Sequence, residues 1–141
     1  MAAPSVGELM TPDPVTTTSK TSVAHAARLM RDHDVGHVVI VDGDGQPSGV
    51  LTDRDIVIRV VADGQSTEET TVSAAASGEV SSVEPSISAN DAAQVMRDQA
   101  IRRLPVVDRG DVVGVVSIGD LAVHLDPESA LADVSASSPN R

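Results

Sequence analysis

The chain has 141 residues and a mass of 14.5 kDa, room for one ordinary domain or two very small ones. Ten Lys and Arg stand against 21 Asp and Glu, and the net charge of −11 repels phosphate backbones and anionic lipid. Phe, Trp, Tyr and Cys are all absent, which removes base-stacking rings, disulfides, thiolate metal sites and a cysteine nucleophile.

No basic region and apolar run open the chain, and no segment approaches ~18 apolar residues. The expectation is a soluble cytoplasmic protein. Val supplies 23 residues against seven Leu and six Ile. That β-branched excess favours strands, and Ala and Met at helical spacing favour thin helices packed closely on a sheet. Small side chains remove little area from water, so two half-domains are each marginal and are expected to associate.

Taken in order, the first predicted strand is Val15-Thr16-Thr17-Thr18. Val23, Ala26, Ala27 and Met30 then fall at i, i+3, i+4 and i+7, an apolar helical stripe with Ser22 ahead as N-cap. Asp34-Val35-Gly36 reads as the helix end. Val38-Val39-Ile40-Val41-Asp42 is a largely buried strand, Asp42 to Pro47 a turn, and Gly49-Val50-Leu51-Thr52 a second strand entering a helix from Asp53 to about Val61. Asp63 to Thr71 is polar and aperiodic, a linker.

The same order then repeats. Val80-Ser81-Ser82-Val83 is a strand, and Ala89, Ala92, Ala93 and Met96 restate the stripe behind Ser88. Leu104-Pro105-Val106-Val107-Asp108, the turn Arg109-Gly110-Asp111, Gly114-Val115-Val116-Ser117 and a helix from Ile118 to about Leu125 complete the copy. Asp126-Pro127 breaks that helix, and the Ala/Ser/Pro-rich remainder reads as disordered. The spacing between copies drops from 66 to 65 across the hairpin turn, where a lost residue is tolerated. The fold class is α/β (α+β), two β-α-β-β-α repeats. Their expected bounds are residues 7–64 and 72–126, joined by a linker over 65–71 and followed by a tail over 127–141.

Two such units, each with an apolar-Val-Val-Asp strand, a turn, Gly-Val-x-Ser/Thr-x-x-Asp and a closing helix, resemble a tandem pair of CBS (cystathionine β-synthase) domains. Leu51-Thr52-Asp53-Arg54-Asp55-Ile56-Val57-Ile58 is similar to small stand-alone bacterial CBS-pair proteins of the hypoxic-response type. The resemblance implies a pseudo-twofold module with two ligand clefts between its repeats and a disc-like homodimer of modules. It also implies a regulatory, stress-associated role without catalytic residues. In many such proteins AMP, ADP, ATP or S-adenosylmethionine fills the clefts, while others have no known ligand. No cofactor is required.

By this resemblance Asp120 and Asp55 accept the ribose hydroxyls, with Ser117 and Thr52 beside them. A carboxylate has lone pairs enough for a cis-diol. The same spacing also describes a helix capping box, hydroxyl at the N-cap and acid at N3. Arg102 and Arg103 precede Leu104-Pro105-Val106 where relatives place phosphate contacts, and a guanidinium fork suits phosphate. A solvated or ion-paired surface pair is the alternative. The first repeat has Gly36 and His37 there, a weaker cation, so the second repeat is the better nucleotide site. Ser81, Ser82 and Val83, like Thr16, Thr17 and Thr18, would flank the base through backbone groups, with Pro105 in the same ligand-facing set; a plain strand is the other reading.

His33 and His37 are separated by a helix end, and His25 and His124 are scattered, so no metal site is expected. No glycine-rich phosphate loop or nucleophile set assembles an enzyme. Two functions stand: a nucleotide-sensing regulatory module, or a ligand-independent dimeric interaction protein with an unidentified protein partner. Ile56, Val60, Leu121 and Val123 are the expected homodimer contacts; no nucleic acid or membrane partner is expected.

Overall fold

The computed structural model describes residues 4–76 and 81–125. The expected disordered tail over 127–141 lies outside the described residues. The chain is mixed α/β and divides into two compact units. One, the N-terminal repeat unit, begins at Pro14. The other, the C-terminal repeat unit, combines residues up to Asp13 with those from Ser81 onward.

The chain opens with α1 (Val6–Leu9) and β1 (Thr11–Pro12), which serve the C-terminal repeat unit. The N-terminal repeat unit then builds β2 (Thr16–Thr18), α2 (Val23–His33), β3 (His37–Val41), β4 (Pro47–Thr52), α3 (Asp53–Asp55), a π-helix (Ile56–Val61) and α4 (Val72–Ala75). The C-terminal repeat unit follows with α5 (Ala89–Gln99), β5 (Arg103–Asp108), β6 (Asp111–Ser117) and α6 (Ile118–Leu125).

The two long helices start and stop alike. The Ser22 and Ser88 hydroxyls accept the amides of His25 and Asp91, each at 3.1 Å, satisfying donors that the first turn leaves over. Both helices end on a left-handed residue, Asp34 (φ 55°) and Ala100 (φ 54°). The amides of Val35 and Ile101 then donate back to Met30 and Met96, each at 3.0 Å. This stop separates His33 from His37, as the sequence indicated.

In the N-terminal repeat unit β2 pairs parallel with β3, and β3 antiparallel with β4. In the other unit β5 pairs antiparallel with β6, whose far edge takes β1. The β5–β6 hairpin turns on Arg109 (φ 52°) and Gly110 (φ 86°), a two-residue loop matched to strand twist. Of the strand expected at Val80–Val83, Val80 lies outside the described residues, and Val83 makes a parallel bridge with Val106.

Each unit buries one face of its sheet under its long helix. One core gathers Val23, Ala26, Met30, Val38, Leu51 and Val60; the other gathers Ala89, Ala92, Met96, Leu104, Val116 and Leu121. Met30 and Met96 hold matching places. Ala27, expected in the stripe, is exposed. Residues 67–70 lie along the start of α2, where Val23 and Ala24 donate to Thr70 and Thr67 and Arg28 pairs with Glu68 at 2.8 Å.

Two short helices complete the cores from unexpected places. Val6 of α1 and Val72 of α4 are both fully buried. Val72 donates to Thr21, and Val6 to Ile87, each at 2.8 Å. These positions are 66 residues apart on both sides, so each repeat's leading helix packs in the unit of the other repeat. The repeats expected at 7–64 and 72–126 therefore differ from the compact units at their leading segments. Part of the expected 65–71 linker is hydrogen-bonded structure.

The expected homodimer contacts also need correction. Val60 and Leu121 lie in their own units' cores, and Ile56 packs against one. Of the four, only Val123 is exposed; the other exposed large apolar side chains among the described residues are Val57, Ile58, Val61 and Leu125.

Candidate functional site

Both Ser/Thr-x-x-Asp segments sit where a strand hands over to a helix. In the C-terminal repeat unit the Ser117 amide donates to Asp120 Oδ2 at 2.8 Å, and the Asp120 amide donates to Ser117 Oγ at 3.1 Å. In the N-terminal repeat unit the Thr52 amide donates to Asp55 Oδ2 at 3.0 Å, and the Asp55 amide to Thr52 Oγ1 at 3.1 Å. Both are reciprocal capping boxes, each satisfying two donors at the helix start. The capping reading thus holds in both copies, and it occupies only one oxygen of each carboxylate.

Sheet register brings the expected phosphate contacts alongside these boxes. Arg103 pairs across the sheet with Ser117, and His37 with Thr52. The carbonyls of Arg102 and Gly36 accept the next residue's amide in each helix, Ile118 at 2.8 Å and Asp53 at 2.9 Å. Arg103 is half-buried and Arg102 exposed. Alternation along β5 turns Arg103 and Pro105 away from the core side taken by Leu104 and Val106. Pro105 is buried, and its carbonyl accepts the Val83 amide at 3.1 Å.

The carboxylates differ in their surroundings. Asp55 is 8% exposed, and its Oδ1 lies 3.9 Å from Arg59 Nε. Asp120 is half-buried, and among the described residues no partner reaches its Oδ1. Among the described residues, a capping carboxylate with an open oxygen and an arginine opposite its cap residue occurs only in the C-terminal repeat unit.

The base-flanking segments align differently from the sequence match. Thr17 pairs with Ile40 in the way that Val83 pairs with Val106. Thr17 therefore occupies a core valine's position, and its side chain is buried, whereas Thr16 and Ser82 are exposed counterparts. Ser81 spends its hydroxyl on Gln99. Arg59 is the residue that sequence reasoning missed. Its i+4 spacing from Asp55 was the available signal.

Among the described residues no group of three or more His, Asp or Glu side chains gathers to hold a metal, and no helix is long and apolar enough to cross a membrane.

The profile of the CBS domain matches residues 6–62 and 68–127. The CBS domain-containing protein YhcV of Bacillus subtilis is 42% identical over 127 residues, 89% of either chain. Hypoxic response protein 1 of Mycobacterium tuberculosis is 38% identical over 106 residues, 75% of this chain and 73% of that one. A Hypoxic Response Protein I crystal structure with two coordinated zinc ions superposes with a TM-score of 0.76 at 31% identity, over 85% of this chain and 98% of that one. The CBS domain pair of protein MJ0100, in complex with 5′-methylthioadenosine and S-adenosyl-L-methionine, superposes with a TM-score of 0.79 at 25% identity, over 91% of this chain and all of that one. With two profile matches spanning nearly all the described residues, and the strand-to-helix boxes duplicated in both, the chain belongs to the CBS domain family as a pair of CBS repeats.

Proposed function

We propose that this chain is a regulatory, ligand-sensing module that binds an adenosine-containing nucleotide at the C-terminal repeat's Ser117–Asp120 box, without catalysing a reaction on it. The observation that carries this is that Arg103 pairs across the sheet with Ser117, the cap of a box whose Asp120 Oδ1 has no partner among the described residues. The carboxylate takes the ribose diol and the guanidinium takes the ligand's anionic group, a phosphate or the methionine carboxylate of S-adenosylmethionine. A chain of net charge −11 repels a free nucleotide, so a local arginine pair is what such a ligand needs. The adenosine compounds bound by the MJ0100 module support this chemistry for the fold. S-adenosylmethionine, AMP, ADP and ATP are the candidates.

Sensing works only if the ligand prefers one of two conformations or partner states. With binding alone, the output is a shift in assembly or partner affinity. The test is calorimetric titration with AMP, ADP, ATP and S-adenosylmethionine. Losing a charged hydrogen-bond partner typically costs ~1.5–3 kcal/mol, roughly 10- to 150-fold in affinity. Asp120→Ala should weaken binding by that factor, and Asp55→Ala should do less. An Asp120→Ala protein that binds as tightly as the parent, with its circular dichroism unchanged, would leave the box as a helix cap only.

A second reading is a ligand-independent dimeric interaction protein. Val57, Ile58 and Val61, each about half exposed, favour it by offering an apolar surface. A silent titration across the whole panel would select it.

A further inference from the structure

We propose that Arg59 closes the Thr52–Asp55 site to a nucleoside diol, so that the chain takes one nucleotide rather than two. This rests on the diol-binding role given above to the matching carboxylate.

The two boxes share their connectivity and differ at the residue four positions beyond the acid. After Asp55 that residue is Arg59; after Asp120 it is His124. The box uses Oδ2 of each carboxylate, and Arg59 Nε stands 3.9 Å from the other oxygen of Asp55. Among the described residues His124 makes no ion pair with Asp120. A half-exposed i,i+4 ion pair alone holds little, because water and salt screen it. Arg59 is held at a second point: its Nη1 donates to the Ala76 carbonyl at 3.1 Å, just past α4. A diol approaching Asp55 must displace a guanidinium that also hydrogen-bonds the Ala76 carbonyl. It must also enter a more enclosed site, where the Asp55 side chain is 11% exposed. One charge-assisted bond forfeited weakens binding by roughly tenfold or more.

The His37 position opposite Thr52 adds a second consequence. A site opened there lacks an arginine across the sheet, so it should read the nucleoside more than the phosphate.

The experiment titrates AMP and adenosine separately into the parent, Arg59→His and the double variant Arg59→His/Asp55→Ala. Arg59→His reproduces the C-terminal repeat's spacing. The parent should bind one AMP per chain. Arg59→His should bind two, with the gained site taking AMP and adenosine within a few-fold of each other, and the double variant should return to one. Arg59→Gln, which keeps a donor for the Ala76 carbonyl and removes the charge, serves if thermal melting shows that Arg59→His is unfolded. A parent that binds one AMP and an Arg59→His that still binds one overturn the role of Arg59 and leave the Asp120 site intact. A parent that binds two overturns it as well. If neither parent nor variant binds AMP or adenosine, the diol reading falls, and this inference with it.

Discussion

Each carboxylate of the paired boxes has two oxygens, and the helix start claims one. That division separates stability from ligand chemistry within a single residue, and Ser117 offers the complementary probe. Its hydroxyl accepts the Asp120 amide, and the residue pairs with Arg103 across the sheet. Ser117→Ala should cost about 1 kcal/mol of stability, the usual loss for an N-cap hydroxyl. Nucleotide affinity should fall by less than with Asp120→Ala, because the carboxylate stays in place. Denaturant unfolding followed by titration reads both effects, and a stability loss near zero would contradict the cap. The spacing Ser/Thr-x-x-Asp made the cap legible in the sequence, since it depends on local backbone alone. The difference between Asp55 and Asp120 was not legible. It depends on where Arg59 lies relative to Ala76, seventeen residues on, and on how deeply each carboxylate sits.

At the scale of elements, the first repeat's leading segment is held in the C-terminal repeat unit. Val6 is fully buried in that unit's core, and β1 lies along β6, with Thr11 opposite Val115 and Pro12 opposite Gly114. The contact at Gly114 leaves no room for a side chain. A Cβ there would lie 2.5 Å from Met10 Sδ and 2.7 Å from the Thr11 carbonyl oxygen. Met10 can swing aside, but the Thr11 carbonyl moves only by loosening β1. Gly114→Ala should therefore lower the unfolding free energy by ~1–3 kcal/mol, the usual cost of overpacking. Hydrogen exchange should quicken over residues 4–13. Gly43→Ala, with nothing within 4 Å of the added carbon, is the control and should be silent. Equal effects from the two would refute the close approach. The helices Val23–His33 and Ala89–Gln99 were legible because a 3.6-residue period and a serine cap are local signals. The docking of α1 and α4 was not, because four-residue helices carry no period. Only the shared 66-residue offset, Val6 to Val72, ties them to matching places. The break from α-helix to π-helix after Asp55 was equally hidden, since the apolar run Ile56–Val61 suits either winding.

For the whole molecule, the apolar residues left in water decide what the chain does with other copies of itself. Val57, Ile58 and Val61 of the π-helix are 55%, 49% and 59% exposed, and Val60 between them is fully buried. A patch of this kind is covered most simply by a second copy. The expected assembly is a homodimer seated on the π-helix, and light scattering at micromolar concentration should return twice the 14.5 kDa chain mass. Ile58→Asp places a charge in that contact and should return a monomer, with the unit's core untouched because Ile58 is outside it. Salt supplies a second signature. Each chain carries a net charge of −11, so pairing brings like charges together against an apolar attraction. Added salt screens the repulsion and leaves the apolar term, so the dimer should tighten as ionic strength rises. Dimerisation driven by complementary charge would loosen instead. A parent that scatters as a monomer at every salt concentration would rule out pairing. A dimer that survives Ile58→Asp would move the contact elsewhere, and among the described residues Val123 and Leu125 are the other exposed large apolar side chains.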